Sequence, residues 1–251
     1  MPRNHKNLTR LFVDMPINLR DIIALDKKQS NYLISVLRKN IADELIIFNG
    51  KNGAFLAQIE KSSKKAALLL VIEQLAEQPK TNDLWYFFAP LKKARLDYMV
   101  QKATEMGVGI MQPVITQYSQ VKRLKTERIK ANIIEAAEQC EILSIPKIEQ
   151  EITLKNLIEN WQKTHGNRKL ILADETMSAA SPIATLQALR GKKPALLIGP
   201  EGGFSDEELS LLHEQDFVVP ISLGSRILRA DTAAVAALAL IQSIIFESHS
   251  S

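Results

Sequence analysis

Ile198-Gly199-Pro200-Glu201-Gly202-Gly203-Phe204-Ser205 and, further on, Leu223-Gly224-Ser225-Arg226-Ile227-Leu228-Arg229-Ala230-Asp231-Thr232-Ala233 decide how this chain is read. Each stretch has the same grammar: an apolar strand, a loop, a helix start. Residues 195–198 make a short buried-strand pattern, broken by Gly199-Pro200 and Gly202-Gly203. Ser205 with Glu208 three residues later forms a capping box that opens a helix. Residues 217–221 read as the second strand, Gly224 breaks it, and Asp231 is the expected N-cap of an apolar helix. Glycine-bearing loops at the carboxyl ends of strands are where open α/β sheets build ligand crevices. They expose main-chain N–H and C=O groups that can hold an adenine or a nucleoside. The first loop taken alone also reads as an ordinary tight turn. It is neither a P-loop, lacking Gly-Lys-Ser/Thr, nor a Gly-x-Gly-x-x-Gly fingerprint.

Outward from these loops, the whole chain has the composition of a soluble globular protein. Its 251 residues are 46% hydrophobic and 24% charged, enough for one or two domains. The single cysteine, Cys140, excludes an intramolecular disulfide framework and fits a reducing compartment. As a small residue it is expected to be buried. No signal-peptide pattern opens the chain, and the apolar stretch 233–246 is interrupted by Gln242 and too short to span a bilayer. A cytoplasmic protein with no membrane partner is expected. The net charge is +4, but residues 1–75 carry twelve Lys/Arg against seven Asp/Glu, and the remainder twenty against twenty-one. A basic N-terminal third suggests contact with a polyanion, although a solvated surface has the same signature.

Strand signals dominate that third. Residues 10–13, 44–48, 54–59 and 66–72 are strand candidates, and Asn49-Gly50-Lys51-Asn52-Gly53 reads as a hairpin loop. Residues 30–38 make a small amphipathic helix with Leu33, Ile34 and Leu37 on one face. Short strands with turn signals predict a small β-barrel over residues 1–73. Residues 74–83 are polar, contain Pro79 and read as a linker. From 84 to 251 strands and helices alternate, which predicts a largely parallel sheet covered on both faces. Pattern alone gives an open doubly wound sheet.

GPEGGFS followed by LGSRILRADTA resembles the bacterial 16S rRNA (uracil-N3)-methyltransferase family, within the SPOUT superfamily. Residues 92–107, KKARLDYMVQKATEMG, resemble a further block of that family, as does Glu135-Ala136-Ala137-Glu138-Gln139-Cys140. The resemblance implies a PUA-like N-terminal barrel and a C-terminal SPOUT α/β domain with a deep trefoil knot, 223–229 being a knotted loop. It further implies S-adenosyl-L-methionine as cofactor, 16S rRNA or the small ribosomal subunit as partner, and a homodimer. The cofactor site would comprise Leu172, Ile198, Gly199, Pro200, Glu201, Gly202, Gly203, Leu223, Gly224, Ile227, Leu228 and Arg229. Arg10, Arg38, Lys92, Lys93, Arg95 and Arg123 are the candidate RNA contacts. Arg10 is a candidate for RNA contact across the dimer. The sequence departs from the family's usual pattern at Asn31, where a His is common, at Ala42, where a Gly is common, and at Ile142, where an Arg is usual.

Methylation at uracil N3 requires a base exposed from any pairing and loss of the N3 proton. Arg229 is the leading candidate for stabilising the uracil anion, with Asp231 and Glu138 as candidate bases. Asp231 also reads as a plain helix cap, and Glu138 as part of a helix terminus. The histidines lack paired spacing, so no metal is expected. Another SPOUT methyltransferase acting on tRNA or a ribose 2′-hydroxyl, or a non-catalytic rRNA-binding assembly protein, are the competing readings.

Overall fold

The computed structural model describes residues 7–119, 121, 124–174 and 181–246. The chain divides into two compact units. One comprises the residues through Lys80 together with Ala137–Ile145; the other comprises Thr81–Ala136 and the residues from Pro146 on.

The first unit contains β1 (Arg10–Phe12), β2 (Ile22–Ala24), α1 (Lys27–Asn31) running into a π-helical turn (Tyr32–Val36), β3 (Glu44–Phe48), β4 (Ala54–Lys61) and β5 (Leu68–Ala76). Its five strands form one sheet in the order β1-β3-β4-β5-β2, antiparallel except where β1 joins β3. The sheet curls into a half-barrel of the PUA-like kind expected for this third of the chain. Its core collects Leu11, Val13, Ile23, Leu33, Ile47, Phe55, Leu69 and Val71, with Ile34 and Leu37 packed against it. The helix begins earlier than residue 30 because Asp26 caps it, its carboxylate accepting from the Gln29 amide over 2.7 Å. β2 has only three residues, too few for a period to register. β5 runs on through Gln74, opposite Phe55, to Ala76, opposite Ala54, so residues 74–76 are strand rather than linker.

Two backbone features of this unit bear on the sequence's departures. Ala42, where Gly is common, has φ +73°, the left-handed region that Cβ disfavours. The end of helix α3, which belongs to this unit, closes in a Schellman turn. Glu141 takes φ +58° and the Ile142 amide donates to the Ala137 carbonyl over 3.0 Å. Cys140 in that turn is exposed, not buried as expected, because it follows the last helical residue, Gln139.

The second unit contains β6 (Trp85–Phe88), α2 (Lys93–Glu105), β7 (Ile110–Ile115), α3 (Thr126–Gln139) up to Ala136, β8 (Lys147–Ile148), β9 (Ile152–Thr153), α4 (Leu154–Glu159) and α5 (Trp161–His165). It continues with β10 (Lys169–Ala173), α6 (Pro182–Gln187), β11 (Pro194–Ile198), α7 (Asp206–His213), β12 (Val218–Ile221) and α8 (Ala230–Ile241), which ends in a π-helical turn (Gln242–Phe246). Seven strands form a sheet in the order β12-β10-β11-β6-β7-β8, with β9 also on β7. Every pairing is parallel. Tyr86, Phe87 and Phe88 of β6 and Ala195, Leu196 and Leu197 of β11 are fully buried. Strands covered on both faces need apolar residues on both, which is why these segments read as unbroken apolar runs. Arg128 of α3 holds Asp97 of α2 through both nitrogens of its fork, joined by Asn132, and these bonds keep the Asp97 carboxyl below its ordinary range.

Candidate active site

β12, β10 and β11 lie side by side and parallel, so their carboxyl ends open on one edge of the sheet. The chain leaves that edge at Asp174, Gly199 and Ser222, and Ala173, Asp174 and the loops 198–204 and 223–229 line a cleft of about 710 Å³. That size suits a nucleoside-sized ligand. One wall is Ile198, Gly199, Pro200, Glu201, Gly202 and Gly203; the facing wall is Leu223, Gly224, Ile227, Leu228 and Arg229. All eleven were expected at a cofactor site, and the fold brings them to a single place.

The first loop is fixed from both ends. A Cβ on Gly199 would stand 2.8 Å from the Phe204 ring, so the turn closes on its own aromatic. Beyond it the Ser205 hydroxyl accepts from the Glu208 amide and the Glu208 carboxylate accepts from the Ser205 amide, the capping box foreseen in the sequence. Gly203 (φ +72°) and Gly224 (φ +109°) have no protein atom within 4 Å of where a Cβ would sit. These two glycines permit the backbone's left-handed turn and leave the space beside it open.

Leu172 does not reach the cleft. It is fully buried in the sheet's core, while the next residues, Ala173 and Asp174, line the opening. Ala173 is the last residue of β10 and Asp174 the first beyond it, so the cleft begins where the strand ends and Leu172 stays inside the sheet. Asp231 is not the N-cap of α8. Arg229 holds that position with extended φ −68° and ψ 152°, and Asp231 is the second helical residue, accepting from the Thr232 amide. The Asp231 charge adds to the effect of burial in raising the pKa of Tyr86, whose hydroxyl donates to Met99 Sδ. Asp231 does not line the cleft. Within the first unit the Glu138 carboxylate accepts from the Phe12 amide over 2.9 Å.

Several lining residues were not anticipated: Arg95, Ala173, Asp174, Phe204, Leu209, Arg226, Ala230 and Ala233. Arg95 was grouped with the phosphate-facing lysines of α2, yet its Nη1 lies 3.1 Å from Oε1 of Glu201. Asp174 is almost wholly buried, with Oδ2 3.0 Å from His213 Nε2. Only a signal linking distant positions could have placed Arg95 here, since the pair spans 106 residues.

Of the other candidate RNA contacts, Lys92 is the N-cap of α2 and Lys93 its first residue, both exposed. Arg38 is exposed, with φ +54°. Arg10 is mostly buried, 3.6 Å from Glu141 and stacked over Phe48, which leaves little of its fork for a phosphate. Arg123 lies outside the described residues. Among the described residues no acidic, His or Cys cluster has metal-binding geometry, and no helix is long and apolar enough to cross a membrane.

Residues 77–242 match the family model of an RNA methyltransferase domain, and residues 25–72 that of an RNA methyltransferase PUA domain. A ribosomal RNA small subunit methyltransferase E of Rickettsia conorii is 35% identical, the match covering 84% of this chain and 85% of that one. The chain belongs to this methyltransferase family. The family's enzyme from Buchnera aphidicola subsp. Schizaphis graminum is 29% identical over 94% of this chain and 96% of its own length. Among solved structures, a methyltransferase of Legionella pneumophila with bound S-adenosylmethionine superposes with a TM-score of 0.80 at 31% identity, covering 94% of this chain and 98% of that one. The ribosomal RNA small subunit methyltransferase E of Neisseria gonorrhoeae shares the fold at a TM-score of 0.82 and 23% identity, over 95% and 98% of the two chains.

Proposed function

We propose that this methyltransferase uses S-adenosylmethionine to methylate N3 of a specific uridine in 16S rRNA of the small ribosomal subunit. The observation that carries the reading is the convergence of the 198–203 and 223–229 loops on one cleft at the carboxyl edge of the sheet. The cleft suits the cofactor chemically. Ile198, Leu223, Ile227 and Leu228 offer apolar surface to an adenine, the glycine turns offer main-chain polar groups, and the space beside Gly203 and Gly224 is open. When bound, the cofactor supplies an electrophilic methyl group on a sulfonium.

The residues of the chain do the rest. The loops hold the cofactor and fix its orientation. Arg229, on the second wall and at the start of α8, presents a fixed planar fork of donors to an anionic base. The exposed Lys92 and Lys93 and the basic balance of residues 1–75 attract the rRNA backbone. We assign the same reading a homodimer and a knotted 223–229 loop, supported by family membership, and a cytoplasmic setting where the small subunit is made.

Mass mapping of 16S rRNA tests the reading. A strain lacking the gene should lose one methyl group on a uridine, restored by this chain and not by Gly203→Val. Calorimetry should give saturable S-adenosylmethionine binding by the wild type and much weaker binding by that variant. Unchanged rRNA in the deletion strain would overturn the proposed substrate, and an absence of cofactor binding by the folded wild type would overturn the enzyme.

A further inference from the structure

The reaction proposed above leaves a proton to be removed; Asp231 does not line the cleft, and Glu138 belongs to the first unit, where it holds the Phe12 amide. Among the described residues, two carboxylates line the cleft: Asp174 and Glu201. Asp174 is nearly inaccessible, its side chain 2% exposed and set against His213. Glu201 is 23% exposed and lies in the first loop, with Arg95 of α2 at 3.1 Å.

The chemistry of that pair matches one edge of one base. The Watson–Crick edge of uracil presents a carbonyl, the N3–H and a second carbonyl, in that order. A carboxylate accepts and a guanidinium donates, so Glu201 and Arg95 side by side offer an acceptor for N3–H and a donor for a neighbouring carbonyl. Cytosine, with an acceptor at N3 and an amino group beside it, would set acceptor against acceptor and donor against donor. A flat apolar surface from the turn after β7 lies against the same loop. A Cβ on Gly202 would stand 3.3 Å from Cβ of Tyr118, whose side chain is half exposed. The turn carrying Tyr118 is pinned: the Thr116 amide donates to the Ser119 hydroxyl, and the Gln117 amide donates to Oε1 of Glu208 in the capping box. Exposed aromatics held rigidly are platforms on which an unpaired base stacks.

We propose that Arg95, Glu201 and Tyr118 form the target-base subsite, with Glu201 the catalytic residue that accepts the N3 proton. The inference rests on the uracil-N3 reading of the site. The N3–H bond breaks with its proton passing to a Glu201 oxygen. The electron pair left on N3 forms the new bond to the methyl carbon, and the bond from that carbon to sulfur breaks with its electrons going to sulfur. Arg95 stays charged and holds the carbonyl on which the anion's charge is shared; Glu201 returns its proton to water. Among the described residues, Arg226 and Arg229 of the second wall and Asp174, paired with His213, are the other charged or titratable groups facing the same cleft.

The test uses the full-length protein, S-adenosylmethionine and small subunits from a strain lacking the gene. Glu201→Gln should bind S-adenosylmethionine within about twofold of the wild type by calorimetry. Its single-turnover rate at neutral pH should fall by about 10²-fold or more. The residual rate should climb with pH further into the alkaline range than the wild type's, because N3 must then ionise unaided. Arg95→Gln should lose preference for a uridine-containing single-stranded oligonucleotide over its cytidine counterpart. Tyr118→Ala should weaken binding of both by about tenfold, and Tyr118→Phe should not. A Glu201→Gln rate and pH profile matching the wild type would overturn the assignment, as would loss of cofactor binding, which would make Glu201 a cofactor ligand instead. The underlying reading fails separately, if the wild type leaves uridine N3 of these subunits unmethylated.

Discussion

The Phe12 amide donates to Oε1 of Glu138 over 2.9 Å, joining positions 126 residues apart. Glu138 thereby ties the edge strand β1 to the end of α3 within the first unit. The bond to a charged acceptor is worth ~1.5–3 kcal/mol. Glu138→Ala should lower the unfolding free energy by about that amount in urea titrations, with S-adenosylmethionine affinity unchanged. Glu138→Gln keeps an acceptor and should lose less. A stable Glu138→Ala protein that has lost catalysis would restore the residue to the reaction.

Ala42 carries φ +73°, with its amide donated to the Ile59 carbonyl and its own carbonyl accepting from Gln58. Those bonds hold the backbone where Cβ is unfavourable. Ala42→Gly relieves the strain and adds some freedom to the unfolded chain. The balance should stabilise the protein by about 0.5–1 kcal/mol. A lower melting temperature in Ala42→Gly would show that the strain is absent.

His165 sits among Trp85, Phe87 and Trp161, and its pKa is pushed down to about 4 by burial and by the nearby Arg168 charge. The unfolded chain therefore takes up a proton near pH 6.5 that the folded protein refuses. The neutral ring's contribution is complete above that pH and is lost as pH falls from about 6.5 toward 4. Urea unfolding at several pH values should show the wild type losing more stability over this window than His165→Phe. Parallel curves for the two proteins would refute the shift.

Arg229 caps α8 from the cleft wall while Asp231 lies in the helix's first turn. Arg229→Lys should lower turnover with little change in cofactor affinity, and Arg229→Ala should cost on the order of 10²-fold. Asp231→Asn removes a negative charge from a helix N-terminus, a loss of ~0.3–1 kcal/mol in stability, and should leave turnover near wild type. Full activity in Arg229→Lys together with inactivity in Asp231→Asn would reverse the two assignments.

What could be read in advance followed local physics. The Ser205–Glu208 capping box, the hairpin after Phe48 and the apolar runs of β6, β10 and β11 carry their causes within a few residues. The family motifs placed both cleft walls. Short or paired features escaped: β2 owes its existence to Leu68–Leu70 across from it, and residues 74–76 are strand because β4 stands opposite. The offset between Arg229 and Asp231 at the start of α8 turns on one residue's ψ, and a capping residue type does not specify it. Arg95 and Glu201 are each legible as charges, but their meeting is a property of the folded sheet.

The first unit draws Ala137–Ile145 into itself: Gln78 donates to the Leu143 carbonyl, Ile145 packs on Gly50, and Glu138 holds Phe12. During synthesis these partners emerge only after Thr81–Ala136 of the second unit have been made. The amino-terminal unit therefore cannot finish assembling as its own strands leave the ribosome. It must wait, with the Phe12 amide lacking its carboxylate, until a third of the following unit is already outside. Folding of the two units is interleaved in time by the path of the chain, and a product released early, after Lys80, would carry all five strands of the sheet without the segment that completes it.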